Sequence, residues 1–89
     1  MTNFTLIADD GHAWLEVSLE EYPEAEKFGT GFGYQHIEKI YLEEDFEAPQ
    51  FLAHLKEKGI DFTITEKHFN GEWFGRNYDR NLNFNVSGQ

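Results

Sequence analysis

One stretch of this chain carries a helical repeat, and it is short. Ala48, Phe51, Leu52 and Leu55 follow the i, i+3, i+4, i+7 spacing of a helix with one apolar face. Pro49 falls in the first turn, where a missing N–H is tolerated. Lys56 and Lys58 complement the C-terminal end of the helix dipole, and Gly59 stands at the stop position. The pattern predicts a helix over about 47–58, with Asp45 or Glu47 as its cap. The other regular stretches repeat with period two. Phe4, Leu6 and Ala8 mark a strand over 3–8, and Ala13, Leu15 and Val17 mark the next. Tyr34, Ile37, Ile40, Tyr41 and Leu42 predict one strand over about 34–43, and Phe62 and Ile64 predict another over 60–68. One helix among about four strands means an α+β domain. A mostly antiparallel sheet is expected, with the helix packed on one face.

The connections carry their own chemistry. Asp9-Asp10-Gly11 suits a tight hairpin, and so does Asn70-Gly71. Trp73 and Phe74 are then placed to begin a further strand. Ser18 and Glu21 fit a capping box, although Pro23 favours a short helix from there to Gly29. Residues 29–33 read Gly-Thr-Gly-Phe-Gly, and such glycines can imitate a phosphate cradle. No Lys-Ser/Thr pair follows and no clear strand precedes them, so a connector is predicted. The stretch from Asn77 is polar with scattered Tyr78, Leu82, Phe84 and Val86, and order is expected to end near residue 82.

With 89 residues, a single domain and one modest core are expected. Aromatic residues make up 17% of the chain, which argues for a folded protein. Trp14, Phe32, Tyr34, Tyr41, Trp73 and Phe74 exceed what such a core encloses. They either pad the second face of the sheet or anchor a partner. The absence of cysteine excludes disulfides and thiolate metal sites. No apolar run has membrane-spanning length, and no basic-then-apolar leader opens the sequence, so the cytoplasm is the expected compartment.

The charge is strongly uneven. Residues 1–54 hold twelve acids and two bases, whereas residues 55–89 hold five of each. The whole net charge of −10 therefore lies in the first part. Such a chain is expected to avoid direct contact with nucleic acid and anionic membranes. Glu16, Glu20, Glu21, Glu24 and Glu26 form one cluster; Glu38, Glu43, Glu44, Asp45 and Glu47 form another. They either keep a small protein soluble or form a continuous negative face that meets a basic partner.

Other groups offer weaker chemistry. Asp9, Asp10 and His12 can supply metal ligands, but turn formation also explains the two aspartates. Glu43-Glu44-Asp45 can supply paired carboxylates, but acids before a helix are favoured by its dipole. Ser18 and Ser87 support no nucleophilic triad. His36, His54 and His68 read as surface or edge residues. Arg76 and Arg80 around Tyr78 can grip phosphates, but in so acidic a chain they are better matched to its own carboxylates. No cofactor or metal is expected.

Several of these stretches carry a resemblance. Gly11-His12-Ala13-Trp14-Leu15-Glu16-Val17, Tyr41-Leu42-Glu43-Glu44-Asp45 and Arg76-Asn77-Tyr78-Asp79-Arg80 occur in that order. The sequence resembles a family of small uncharacterised proteins of phages, prophages and plasmids with G-H-x-W-L-x-V, Y-L-E-E-D and R-x-Y-x-R segments. It departs from that pattern at Phe46-Glu47 and in an extra C-terminal tail. The resemblance implies a mobile-element protein acting inside a bacterial cell and carries over no catalytic residue.

Together these features predict a non-enzymatic inhibitor of a host defence complex. Its partner would be a protein with a basic nucleic-acid-binding surface, such as a CRISPR effector or a restriction enzyme. The expected contact residues are Glu20, Glu21, Glu24, Glu43, Glu44, Asp45 and Glu47, with Tyr41 and Trp73 as aromatic anchors. A homodimer is left open. The alternative is a small metal- or ligand-dependent enzyme or binding module using Asp10, His12 and Glu43–Asp45. A third option is a phage structural or accessory protein.

Overall fold

The computed structural model describes residues 2–71, 73 and 78–80. Strand β1 (Thr2–Ala8) and strand β2 (Ala13–Ser18) form the expected hairpin. A 3-10 helix over Pro23–Phe28 precedes β3 (Tyr34–His36) and β4 (Lys39–Glu43). Helix α1 (Glu47–Glu57), β5 (Phe62–His68) and β6 (Asp79–Arg80) follow. The sheet order is β5-β1-β2-β4-β3-β6. Only β5 against β1 is parallel; the other neighbours are antiparallel. The protein is thus α+β, with one main helix on a mostly antiparallel sheet.

The sheet has more strands than the alternation implied. The single strand expected over 34–43 is two, turning back at Ile37-Glu38 so that His36 pairs with Lys39. The brief β6 adds a rung beside β3.

Alternation along the strands builds two apolar layers. On the helix side, Phe4, Leu15, Val17, Ile40 and Leu42 meet Ala48, Phe51 and Leu55 of α1 and Ala25 of the 3-10 helix. The spacing that predicted the helix therefore delivers Phe51 and Leu55 to the centre, both fully buried. Tyr22 and Phe28 close edge-on against the Phe51 ring at 6.0 and 5.8 Å. Gly59 takes φ +74° just past the helix, as a stop residue should.

Neither Asp45 nor Glu47 caps α1. The N-cap position belongs to Phe46, whose side chain makes no capping bond. Glu43 instead closes the turn that leads into the helix: its carboxylate accepts the Asp45 and Phe46 N–H groups, each at 2.9 Å. The Ser18 hydroxyl accepts the Glu21 N–H at 3.4 Å, but a turn forms there and the 3-10 helix begins only at Pro23.

The opposite face is padded by Ile7, Trp14, Tyr34, Tyr41 and Trp73, with Phe69 and Tyr78 packed against them. Tyr41 is 6% exposed and Trp73 is 2% exposed, so neither is an open anchor for a partner. Asn70-Gly71 is a bend after β5, the strand expected to follow it lies mostly outside the described residues, and Trp73 itself is not in a strand. The Gly71 N–H donates to Asp10 Oδ2 at 2.9 Å, and its carbonyl accepts the Asp10 N–H at 3.1 Å. The Trp73 N–H donates to Asp9 Oδ2 at 2.8 Å. The turn residues thus tie the chain to the β1–β2 hairpin and set Trp73 under the second face. Phe74, Arg76, Ser87 and the tail from residue 82 lie outside the described residues. Among the described residues no helix is long and apolar enough to cross a membrane.

Candidate functional site

Glu26, Glu57, Asp61 and Glu66 are exposed elsewhere on the chain, while two groups of exposed acids lie at the two ends of strand β4. At its start, the Tyr22 N–H donates to the Ser18 carbonyl at 2.9 Å and folds 18–22 into a turn. The Leu19 N–H donates to the Glu38 carbonyl at 2.8 Å, which fastens that turn to the β3–β4 hairpin. Glu20, Glu21 and Glu38 are therefore exposed at one end of the sheet. Glu38, expected in the second cluster, belongs to the first. Glu24 does not join this open surface. It is half-buried, and its carboxylate lies 3.7 Å from His54 Nε2 on α1.

At the other end of β4, Glu44 and Asp45 are exposed while Glu43 is engaged in the turn before the helix. The Glu44 N–H donates to the Ala13 carbonyl at 3.0 Å, which brings this turn beside the β1–β2 hairpin. An open cleft of about 250 Å³ lies there, lined among others by Asp10, His12, Glu44, Glu66 and His68. Asp10 Oδ1 sits 3.6 Å from His68 Nε2. Asp9 also borders the cleft, but its buried carboxylate is engaged by the Gly11 and His12 N–H groups, both at 2.9 Å, and by that of Trp73. Among the described residues no group of three or more histidines and carboxylates is placed to hold a metal ion.

The two acidic ends are separated by the four steps from Lys39 to Glu43, roughly 13 Å of strand. They do not merge into the continuous negative face expected from the sequence. Between them Glu16 points from the second face of the sheet, with its carboxylate 3.8 Å from Lys39 Nζ. Burial, reinforced by the neighbouring Glu16 charge and its hydrogen bond, pushes the Tyr41 hydroxyl far above the usual tyrosine range.

Glu47 also leaves the list of surface acids. It is fully buried, and its Oε2 accepts the Thr30 hydroxyl at 2.6 Å, the Thr30 N–H at 2.7 Å and the Phe32 N–H at 3.2 Å. Its Oε1 accepts the Glu43 N–H at 2.9 Å. The glycine-rich loop does cradle an anion, and that anion is the chain's own Glu47. A buried carboxylate persists only when so satisfied. Thr30 was not picked out from the sequence. A threonine inside a glycine loop, with a glutamate opening the next helix, was the available signal.

Ile37 was the other omission. The alternation read it as a strand residue, yet it is 80% exposed at the hairpin tip. Its φ is +56°, and it is the one non-glycine at positive φ among the described residues. An open hollow of about 500 Å³ beside it is lined by Glu16, His36, Ile37, Glu38, Lys39 and Tyr41.

Searches against protein-family models, curated proteins and solved structures return no match.

Proposed function

We propose that this protein works by protein–protein contact, as an acidic inhibitor that occupies the basic nucleic-acid-binding surface of a host defence complex. CRISPR effectors and restriction enzymes are the partner classes with such a surface. The observation that carries this reading is the exposed, unneutralised acid at the ends of β4. Among the described residues, Glu20, Glu21, Glu38, Glu44 and Asp45 form no ion pair. Self-repulsion at this density opposes folding, so a surface of this kind has its natural use against a basic partner. The end bearing Glu20, Glu21 and Glu38 is the preferred contact because it also carries an exposed apolar group. The resemblance to small mobile-element proteins points to the same setting. The test is competition: the protein should displace DNA from a purified effector complex or restriction enzyme, with an affinity that falls as salt rises.

A second reading is a small-ligand module at the cleft of Asp10, His12, Glu44, Glu66 and His68. Its support is the gathering of two histidines and three carboxylates around one hollow. Thermal shift with divalent cations and nucleotides tests it.

A further inference from the structure

We infer that Ile37 is an apolar anchor that inserts into a hydrophobic socket bordered by lysine and arginine on the partner protein. This rests on the acidic-contact reading and deepens it by naming the group that gives the contact its lifetime. Ile37 and Glu38 form a two-residue hairpin loop with positive φ at its first position only. That position of a tight hairpin normally takes glycine. A β-branched residue at positive φ is a genuine outlier, and such strain concentrates at functional positions. Isoleucine also gains no burial there, since four-fifths of it faces solvent. Folding alone therefore favours glycine or asparagine at residue 37 on two counts, conformation and exposure.

The occupant follows from the surroundings. Glu38 adjoins Ile37, and the Leu19–Glu38 bond holds the turn bearing Glu20 and Glu21 at the same end of the sheet. All three carboxylates are exposed. His36 and Lys39 flank the loop, and Lys39 is paired with Glu16, so the charges left open around the tip are the carboxylates of Glu20, Glu21 and Glu38. An apolar tip beside open carboxylates matches an apolar pocket bordered by basic groups. Hot spots have this form, a central anchor inside a rim that excludes water.

The experiment compares wild type, Ile37→Gly, Ile37→Asn, Ile37→Leu and the triple reversal Glu20→Lys/Glu21→Lys/Glu38→Lys. The probes are a panel of purified CRISPR effector–guide complexes and restriction enzymes, with polylysine as a target that has charge but no socket. Ile37→Gly and Ile37→Asn should melt no lower than wild type. They should weaken panel binding at least tenfold through faster dissociation and leave polylysine binding unchanged. Ile37→Leu should retain most of the affinity. The triple reversal should instead slow association with the panel and weaken polylysine. Undiminished panel binding by well-folded Ile37→Gly and Ile37→Asn overturns the anchor and leaves the acidic contact standing. Panel binding insensitive to the triple reversal overturns the acidic contact. No panel binding by wild type overturns both.

Discussion

The Glu47 carboxylate accepts both the backbone N–H and the hydroxyl of Thr30, at 2.7 and 2.6 Å, across 17 residues of sequence. With the Phe32 and Glu43 N–H groups on the same carboxylate, one buried acid fixes the glycine loop, the end of β4 and the start of α1 together. Glu47→Ala strands these donors in a buried site and should cost about 3 kcal/mol or more. Glu47→Gln should cost less, because its carbonyl still accepts. Urea denaturation of the two variants checks this, and an unchanged midpoint for Glu47→Ala would contradict the cradle.

Leu55 tests the helix register. It is fully buried between α1 and the sheet. Leu55→Ala should destabilise by about 2–5 kcal/mol. The exposed neighbour Lys56→Ala should change stability by about 0.5 kcal/mol or less.

Tyr41 gives the fold an alkaline limit. Its hydroxyl is held protonated by burial and by Glu16, so its folded pKa is raised. The unfolded chain ionises near the ordinary value of about 10. The stabilisation is thus complete below that pH and is lost as pH climbs above it. Chemical denaturation from pH 8 to 11 should show falling stability, and Tyr41→Phe should flatten that limb. A wild-type curve with no alkaline decline would refute the assignment.

Mg²⁺, Zn²⁺ and ATP should leave the melting temperature unchanged if the acids serve a protein partner. A ligand at a hundred times its Kd adds about 2.7 kcal/mol of stability. A clear rise that disappears in Asp10→Asn or His12→Ala would instead favour the ligand module at the hairpin cleft.

The parts of the fold written in local periodicity were legible. Phe51, Leu52 and Leu55 announced the helix, and Asp9-Asp10-Gly11 announced the first hairpin. The hairpin between β3 and β4 was hidden because Ile37-Glu38 carries no turn residue, so an apolar tip looked like the middle of a strand. The parallel pairing of β5 with β1 is a contact across about sixty residues, and alternation does not reveal a neighbour. Asn70-Gly71 marks a bend whose described bonds go to Asp10, a contact across about sixty residues that a local signal does not reveal, and the strand expected after it lies mostly outside the described residues. Of the acids, sequence could name the charges but not their use. Glu43, Glu47 and Asp9 hold backbone N–H groups, Glu24 faces His54, and Glu20, Glu21, Glu44 and Asp45 remain at the surface.

The most direct test of the central claim is association kinetics with a DNA-targeting host complex over a range of salt, with and without competing DNA. Wild type should bind fast at low salt, slow steeply as salt rises and be excluded by bound DNA. The Glu20, Glu21 and Glu38 triple reversal should associate roughly tenfold or more slowly and lose that salt dependence. Single reversals should matter little, because an exposed pair is worth about 0–1 kcal/mol. Binding that ignores salt, tolerates the triple reversal and proceeds on DNA-loaded complex would contradict the account.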